Sequence, residues 1–194
     1  MASKVTKGII ISFWVLFAAA VGVVVLLFSA IANGSIGYMP PVEQLENPID
    51  KYASQVISAD GKTLSTYAHS QDNRIFVNYN DLSPDLVKAL IATEDVRFAE
   101  HSGIDAQGLF RAVVKRGLLM QKSGGGGSTI TQQLAKQLFS PSADNVMERL
   151  FQKPIEWVIA VQLERFYTKE EIINMYLNKF DFLYNAVGIQ SAAR

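Results

Sequence analysis

The 194-residue chain contains no cysteine, which excludes disulfides, cysteine-ligated zinc and thiol catalysis without identifying a compartment. Neither sign of charge is in excess, because 18 Lys and Arg balance 18 Asp and Glu. The basic footprint of a nucleic-acid binder is therefore missing. No Gly-Lys-Ser or Gly-Lys-Thr triplet occurs, so the glycine run that ends at Ser128 is not a Walker phosphate loop. No segment repeats. Between Gly8 and Ala32 charge is absent altogether.

That stretch, GIIISFWVLFAAAVGVVVLLFSAIA, holds much of the 49% hydrophobic content of the chain. As a helix it would rise about 37 Å, enough to cross a bilayer's hydrocarbon layer with some tilt. Lys4 and Lys7 precede it and no charge follows until Glu43, which keeps the N-terminus cytoplasmic and sends the remainder outside. Ala30-Ile31-Ala32 also fits a signal-peptidase site. Signal cores run only ~7–15 apolar residues, so the length favours a retained anchor.

Asn33 to Asn47, with Gly34, Gly37 and Pro40-Pro41, reads as a linker. Asp60-Gly61 lies between two alternating segments, a hairpin signal, and Arg74 to Tyr79 (RIFVNY) has the pattern of a third short strand. From Asp81 the pattern turns helical. Ser83-Pro84 supplies an N-cap hydroxyl and a proline at the first helical position. Further helices are expected over Ala106–Gln121, Ile130–Phe139 and Asn145–Phe166, with a kink or junction at Pro154. Thr168 and Glu171 form a capping-box pattern for another, and the last ten residues look helical. The segment from Ala106 interleaves Arg111, Lys115 and Arg116 with a broad apolar face. Such a helix suits a lipid surface or an ordinary core.

Three places carry candidate chemistry. Leu86, Leu90, Glu94 and Phe98 recur every four residues, which places Glu94 in an apolar stripe, with His101 on the same side if the helix continues. Burial there would raise its pKa and suit it to proton transfer near neutrality; the alternative is a solvated Glu paired with Arg97. Gly124 to Lys136 reads GGGGSTITQQLAK: Ser128 can cap a helix whose free N–H groups, with the Thr129 and Thr131 hydroxyls, would favour an anion. In QKPIE, Lys153 could meet a phosphate while Glu156 shares a face with Ala160 and Leu163. Two glutamates in different surroundings are the usual apparatus of glycosyl chemistry.

These segments occur in a fixed order. EDVRFAEHSGID, GGSTITQQ, QKPIE and LERFYTKEEIINMYLN resemble E-D-x-x-F-x-x-H-x-G-x-D, G-G-S-T-x-T-Q-Q, R-K-x-x-E and L-E-x-x-Y-x-K-x-E-I-x-x-x-Y-L-N. Those patterns belong to the glycosyltransferase domain of class A penicillin-binding proteins and their monofunctional relatives, the family 51 glycosyltransferases. The resemblance implies a mainly α, lysozyme-like domain behind a single transmembrane helix and a small β-hairpin region. Its parts are a cytoplasmic tail (1–7), an anchor (8–32), a linker with the hairpin (33–80) and the catalytic domain (81–194). The likeness stops at GIQSAAR, inside a fifth family motif, so a longer polypeptide is expected.

The implied activity is polymerisation of lipid II into peptidoglycan strands on the outer face of the bacterial cytoplasmic membrane, releasing polyprenyl pyrophosphate. Glu94 would be the general base and Glu156 would assist the leaving group. Asp95, Phe98, His101, Ser128, Thr129, Thr131, Gln132, Gln133, Lys136, Gln152 and Lys153 would bind substrate. The resemblance implies as partners lipid II, the growing glycan strand, the bilayer and other wall-synthesis proteins. It leaves room for a divalent cation (Mg or Mn) beside the pyrophosphate, although no ligand set requires one. Residues 106–123 fall where the family has a membrane-dipping subdomain. Gln152 replaces the family arginine, with Arg149 one turn earlier as the available substitute. Rival readings are a membrane-anchored glycan hydrolase or lytic enzyme, and a non-catalytic scaffold that binds lipid II.

Overall fold

The structure is a computed structural model that describes residues 4–46, 54–67, 75–115, 127–140, 145–182 and 186–193. It is mostly helical. Helix α1 (Lys4–Ala32) is followed by a short α2 (Val42–Glu46) and an antiparallel hairpin of β1 (Ser54–Ile57) and β2 (Thr63–Tyr67). The remaining α-helices among the described residues are α3 (Pro84–Glu94), α4 (Ala106–Val113), α5 (Ile130–Phe139), α6 (Val146–Phe166), α7 (Lys169–Lys179) and α8 (Ile189–Ala192).

Helix α5 is the centre of the domain, lying against both α6 and α7. Ile130, Leu134 and Ala135 from α5 meet Ile159, Ala160 and Leu163 from α6 and Ile172, Ile173, Tyr176 and Leu177 from α7, all buried. Each fully buried aliphatic side chain contributes about 1.5–3 kcal/mol, so this three-helix contact is the main source of stability. Local signals set the ends of these helices. Thr129 caps α5 by accepting from Gln132 N, Asn145 caps α6 by accepting from Glu148 N, and Thr168 with Glu171 closes the expected capping box on α7. Helix α6 runs unbroken through Pro154, and no junction forms there.

The linker is not extended. Leu45 of α2 is buried in the core, and its carbonyl accepts a 2.7 Å bond from the Tyr167 hydroxyl. Gly37 has a φ of 75°, and any Cβ there would run into the Ile155 side chain. The chain leaving α1 is thus folded onto α6, where the Phe28 and Trp157 rings stack at 6.3 Å. Among the described residues one helix, Thr6–Ala32, is long and apolar enough to cross a membrane.

Several expectations change. The hairpin turns at Asp60-Gly61, where Gly61 takes a φ of 80°. RIFVNY adds no third strand over its described part, residues 75–79. Asn178 takes the place of a neighbouring strand, its side-chain amide accepting from Val77 N and donating to Val77 O, both at 2.9 Å. Ser83 occupies the N-cap of α3 without a side-chain capping bond, while Pro84 sits at the first position as expected. Helix α4 ends at Val113, and the rest of the helix expected to Gln121 lies largely outside the described residues, as do Gly124–Gly126. Phe110 and Val113 on α4 are exposed, as are Val146, Met147, Leu150 and Phe151 at the start of α6, so α4 does not serve as an ordinary core helix. Among the described residues at the C-terminal end only Ile189–Ala192 is helical, preceded by a bridge between Asp181 and Val187.

Candidate active site

The stripe of α3 stops at Glu94. Asp95 leaves the helix with a φ of −156° and turns inward, where it is buried. Its carboxylate accepts from Ile130 N at 3.1 Å and lies 3.0 Å from His101 Nε2. A negative group at that position meets the positive end of the α5 dipole. Asp95 therefore occupies the seat expected for a substrate anion. Gln132 N is likewise used, by Thr129 Oγ1 at 3.1 Å. The helix N-terminus binds the protein's own carboxylate.

Glu94 consequently differs from expectation. It is exposed, not buried among Leu90 and Phe98; the burial predicted for it belongs to Asp95. It borders a cavity of about 240 Å³ with Asp95, Arg97, Arg111, Ser128 and Thr129. Gln133 Nε2 donates to Glu94 Oε2 at 2.7 Å, and Gln133 Oε1 accepts from the Tyr176 hydroxyl at 3.0 Å. A carboxylate can only accept from an amide, so the amide's NH₂ faces Glu94 and its oxygen faces Tyr176. Burial and the Glu94 charge raise the Tyr176 phenol well above its ordinary pKa. It remains a donor throughout the neutral range.

Glu156 is only 1% exposed and receives a 2.6 Å bond from Lys153 Nζ. Lys153 also reaches Ser128 Oγ at 3.5 Å, which ties α6 to the cavity wall. The two glutamates do not face each other across an open groove. Glu94 borders the cavity, whereas Glu156 is linked to it through Lys153 and Ser128. Lys136 is exposed on α5, one turn beyond Gln133. Gln152 is half-buried, and Arg149 is exposed.

Four residues expected to bind substrate are buried or nearly so. Thr131 donates to Glu164 Oε1 at 2.6 Å, and Gln132 donates to Gly103 O at 3.0 Å. Phe98 is buried beneath Lys169, whose ammonium lies 4.3 Å from the ring centroid. The His101 side chain is nearly enclosed and turned to Asp95. None of these four side chains lines the cavity beside Glu94. Thr129 lines the cavity but spends its hydroxyl on Gly103 O at 2.8 Å. Gly103 is required where it sits: its φ is 90°, and a Cβ would come within 2.9 Å of the Ala160 carbonyl.

Arg97, Arg111, Glu164, Lys169 and Tyr176 were not singled out from sequence as site residues. Arg97 binds Asp105 through both carboxylate oxygens, at 2.7 and 2.5 Å, and Asp105 caps α4 through Gly108 N. Burial pushes the Asp105 carboxyl up. The Arg97 hydrogen bonds, the Gly108 N–H and the Arg97 charge outweigh this and hold it below the usual carboxylate range. Lys169 Nζ donates to His101 O at 2.6 Å and to Glu164 at 2.8 Å, fastening the loop after α3 to α7. Arg111 adds a cation to the cavity rim. Among the described residues no group of three or more His, Asp or Glu side chains could hold a metal ion, so no step is assigned to one.

An exposed carboxylate that accepts from a neutral amide, with arginine on the same cavity rim, in a helical domain packed on a long apolar helix, is an arrangement suited to acid–base chemistry. The match to known proteins narrows that class. The model of the transglycosylase family matches residues 60–194. Penicillin-binding protein 1A of Escherichia coli (strain K12) is 40% identical over 156 residues, covering 80% of this chain and 18% of that protein. Penicillin-binding protein 1F of Bacillus subtilis (strain 168) is 41% identical over 142 residues, covering 73% and 19% respectively. The biosynthetic peptidoglycan transglycosylase of Nitrosomonas eutropha is 40% identical over 119 residues, covering 61% and 47%. This chain belongs to the transglycosylase family. It spans about a fifth of the length of the penicillin-binding proteins it matches.

Proposed function

We propose that the chain carries a peptidoglycan glycosyltransferase that polymerises lipid II and releases polyprenyl pyrophosphate. The observation that carries this reading is the open Glu94 carboxylate beside the cavity, held by Gln133 and bordered by Arg111. Glu94 takes the proton from the acceptor sugar hydroxyl. That oxygen attacks the anomeric carbon of the growing chain, with inversion, as the bond to the pyrophosphate breaks. A positioned base supplies about 10²–10⁴-fold of such a rate. Arg111, Lys136 and Lys153 stabilise the departing diphosphate, and Glu156 holds Lys153 in place.

Membership of the transglycosylase family and similarity to a biosynthetic peptidoglycan transglycosylase support this activity. In this reading, residues 8–32 cross the cytoplasmic membrane with residues 1–7 inside, and the domain from 81 onward works on the outer face. The exposed apolar side chains of α4 and early α6 then rest in the lipid surface from which lipid II arrives.

The test uses the protein reconstituted in bilayers and incubated separately with lipid II and with finished glycan strands. Polymer formed from lipid II, with polyprenyl pyrophosphate released, is expected. Shortening of finished strands alone would make the protein a hydrolase. Retention of lipid II without turnover would make it a scaffold.

A further inference from the structure

A second cavity, of about 460 Å³, shares no lining residue with the one beside Glu94. Val24, Val25 and Phe28 of α1 form one wall, Trp157 and Val161 of α6 form the other, and Arg165 stands at the rim. Its volume is in the ~300–1,000 Å³ range of ligand sites, and its lining is mainly apolar. Arg165 is exposed and forms no ion pair with the described residues.

The depth of this groove points to its occupant. Thr6–Ala32 has 27 residues and rises about 40 Å, while the hydrocarbon layer is ~30 Å thick and takes about 20 residues. With Lys7 at the inner surface, the hydrocarbon ends near Phe28. The stack of Phe28 on Trp157 therefore falls at the outer interface, where tryptophan is favoured. The apolar part of the groove opens into the outer acyl layer, and Arg165 can extend to the level of the phosphates. A water-soluble partner would have to displace bilayer to reach it.

We propose that this groove binds one anionic phospholipid of the outer leaflet, with an acyl chain between α1 and α6 and its phosphate on Arg165. This rests on the reading of α1 as a membrane-spanning helix and not on the transferase reading. Bound there, the lipid fills the gap between anchor and domain.

The test reconstitutes the full chain in nanodiscs of equimolar phosphatidylcholine and phosphatidylglycerol, transfers it to mild detergent, and counts retained lipids by native mass spectrometry. One phosphatidylglycerol per chain is expected. Val161→Trp, which fills the groove, should abolish retention. Arg165→Gln, at an exposed position that leaves folding intact, should lower the preference for phosphatidylglycerol about fivefold. Equal retention of both lipids, or retention unchanged in both variants, overturns the proposal. Displacement by added polyprenyl pyrophosphate also overturns it, by giving the groove to the substrate lipid. A chain that does not enter the nanodisc removes the spanning reading together with this one. Polymer formation from lipid II on the same samples reports separately on the transferase.

Discussion

Glu94 and Glu156 bring the same functional group into opposite surroundings. Glu94 stands exposed at the end of α3, and among the described hydrogen bonds its carboxylate is held by the neutral Gln133 amide. Glu156 is buried in the middle of α6 against the Lys153 ammonium. A buried carboxylate without a cation is costly, so Glu156 needs Lys153 to be there at all. An exposed carboxylate needs no such partner and remains available to a ligand. The first glutamate is open to a ligand, and the second is committed to a lysine.

That difference is sharpest if each residue is removed in turn. Glu94→Gln should lower polymer formation about 10²–10⁴-fold, with little change in thermal midpoint, because an exposed side chain contributes little to stability. Undiminished polymer yield would remove Glu94 as the base. Lys153→Met should instead destabilise the fold by about 3–5 kcal/mol, since it leaves the buried Glu156 carboxyl without its partner, and should lower turnover as well because Lys153 faces the departing diphosphate. A stable Lys153→Met protein would show that Glu156 is not held as described. Both variants are read by thermal melts in detergent and by lipid II turnover.

A third carboxylate adds a pH test. Asp105 has a folded pKa held below its ordinary value, with Arg97 as its ion-pair partner. The unfolded value is ~3.9, so near that pH the native state binds fewer protons than the unfolded one. The contribution of the pair is whole above about pH 4 and is lost as pH falls through the lower, folded value. Asp105→Asn should cost about 1.5–3 kcal/mol at neutral pH, and its gap from the parent protein should narrow at pH 3. An equal gap at both pH values would show that the loss comes from packing, not from charge.

Where local chemistry decides, the sequence is easily read. Helix α5 begins and ends as its pattern indicates, the capping box opens α7, and Asp60-Gly61 makes the hairpin turn. Where partners distant in sequence decide, reading fails. No glycine or proline marks the end of α3; it ends because Asp95 is drawn to Ile130 N and His101. A four-residue period carried past that point therefore buries Glu94 and exposes Asp95, the reverse of what forms. Ser128 and Thr129 are adjacent hydroxyls, and the cap falls to Thr129, whose hydroxyl also reaches Gly103 O, 26 residues away. RIFVNY alternates like a strand, but the Asn178 side chain takes the edge a strand would use. The cavity suffers most from this, because it is built where these distant partners meet.

The smallest expected effect tests how the open carboxylate is aimed. Tyr176 donates to Gln133, and Gln133 donates to Glu94, so the phenol secures the amide in the orientation that the carboxylate demands. Tyr176→Phe keeps the ring in the core and removes only the hydroxyl. The Gln133 oxygen then lacks its donor, and the amide that aims Glu94 is held less firmly. Loss of one neutral hydrogen bond is worth about 1 kcal/mol, roughly a fivefold decrease in turnover. The decrease should appear in kcat and leave KM unchanged, because Tyr176 lies behind Gln133 and touches no substrate. Burial, followed by the Glu94 charge, keeps the phenol protonated, so the ratio of parent to variant should be constant from pH 6 to pH 9. Gln133→Glu, which sets a second negative charge against Glu94, should be worse than Tyr176→Phe. Equal turnover in parent and Tyr176→Phe would mean that Glu94 is aimed by the substrate, and that its neutral neighbours merely surround it.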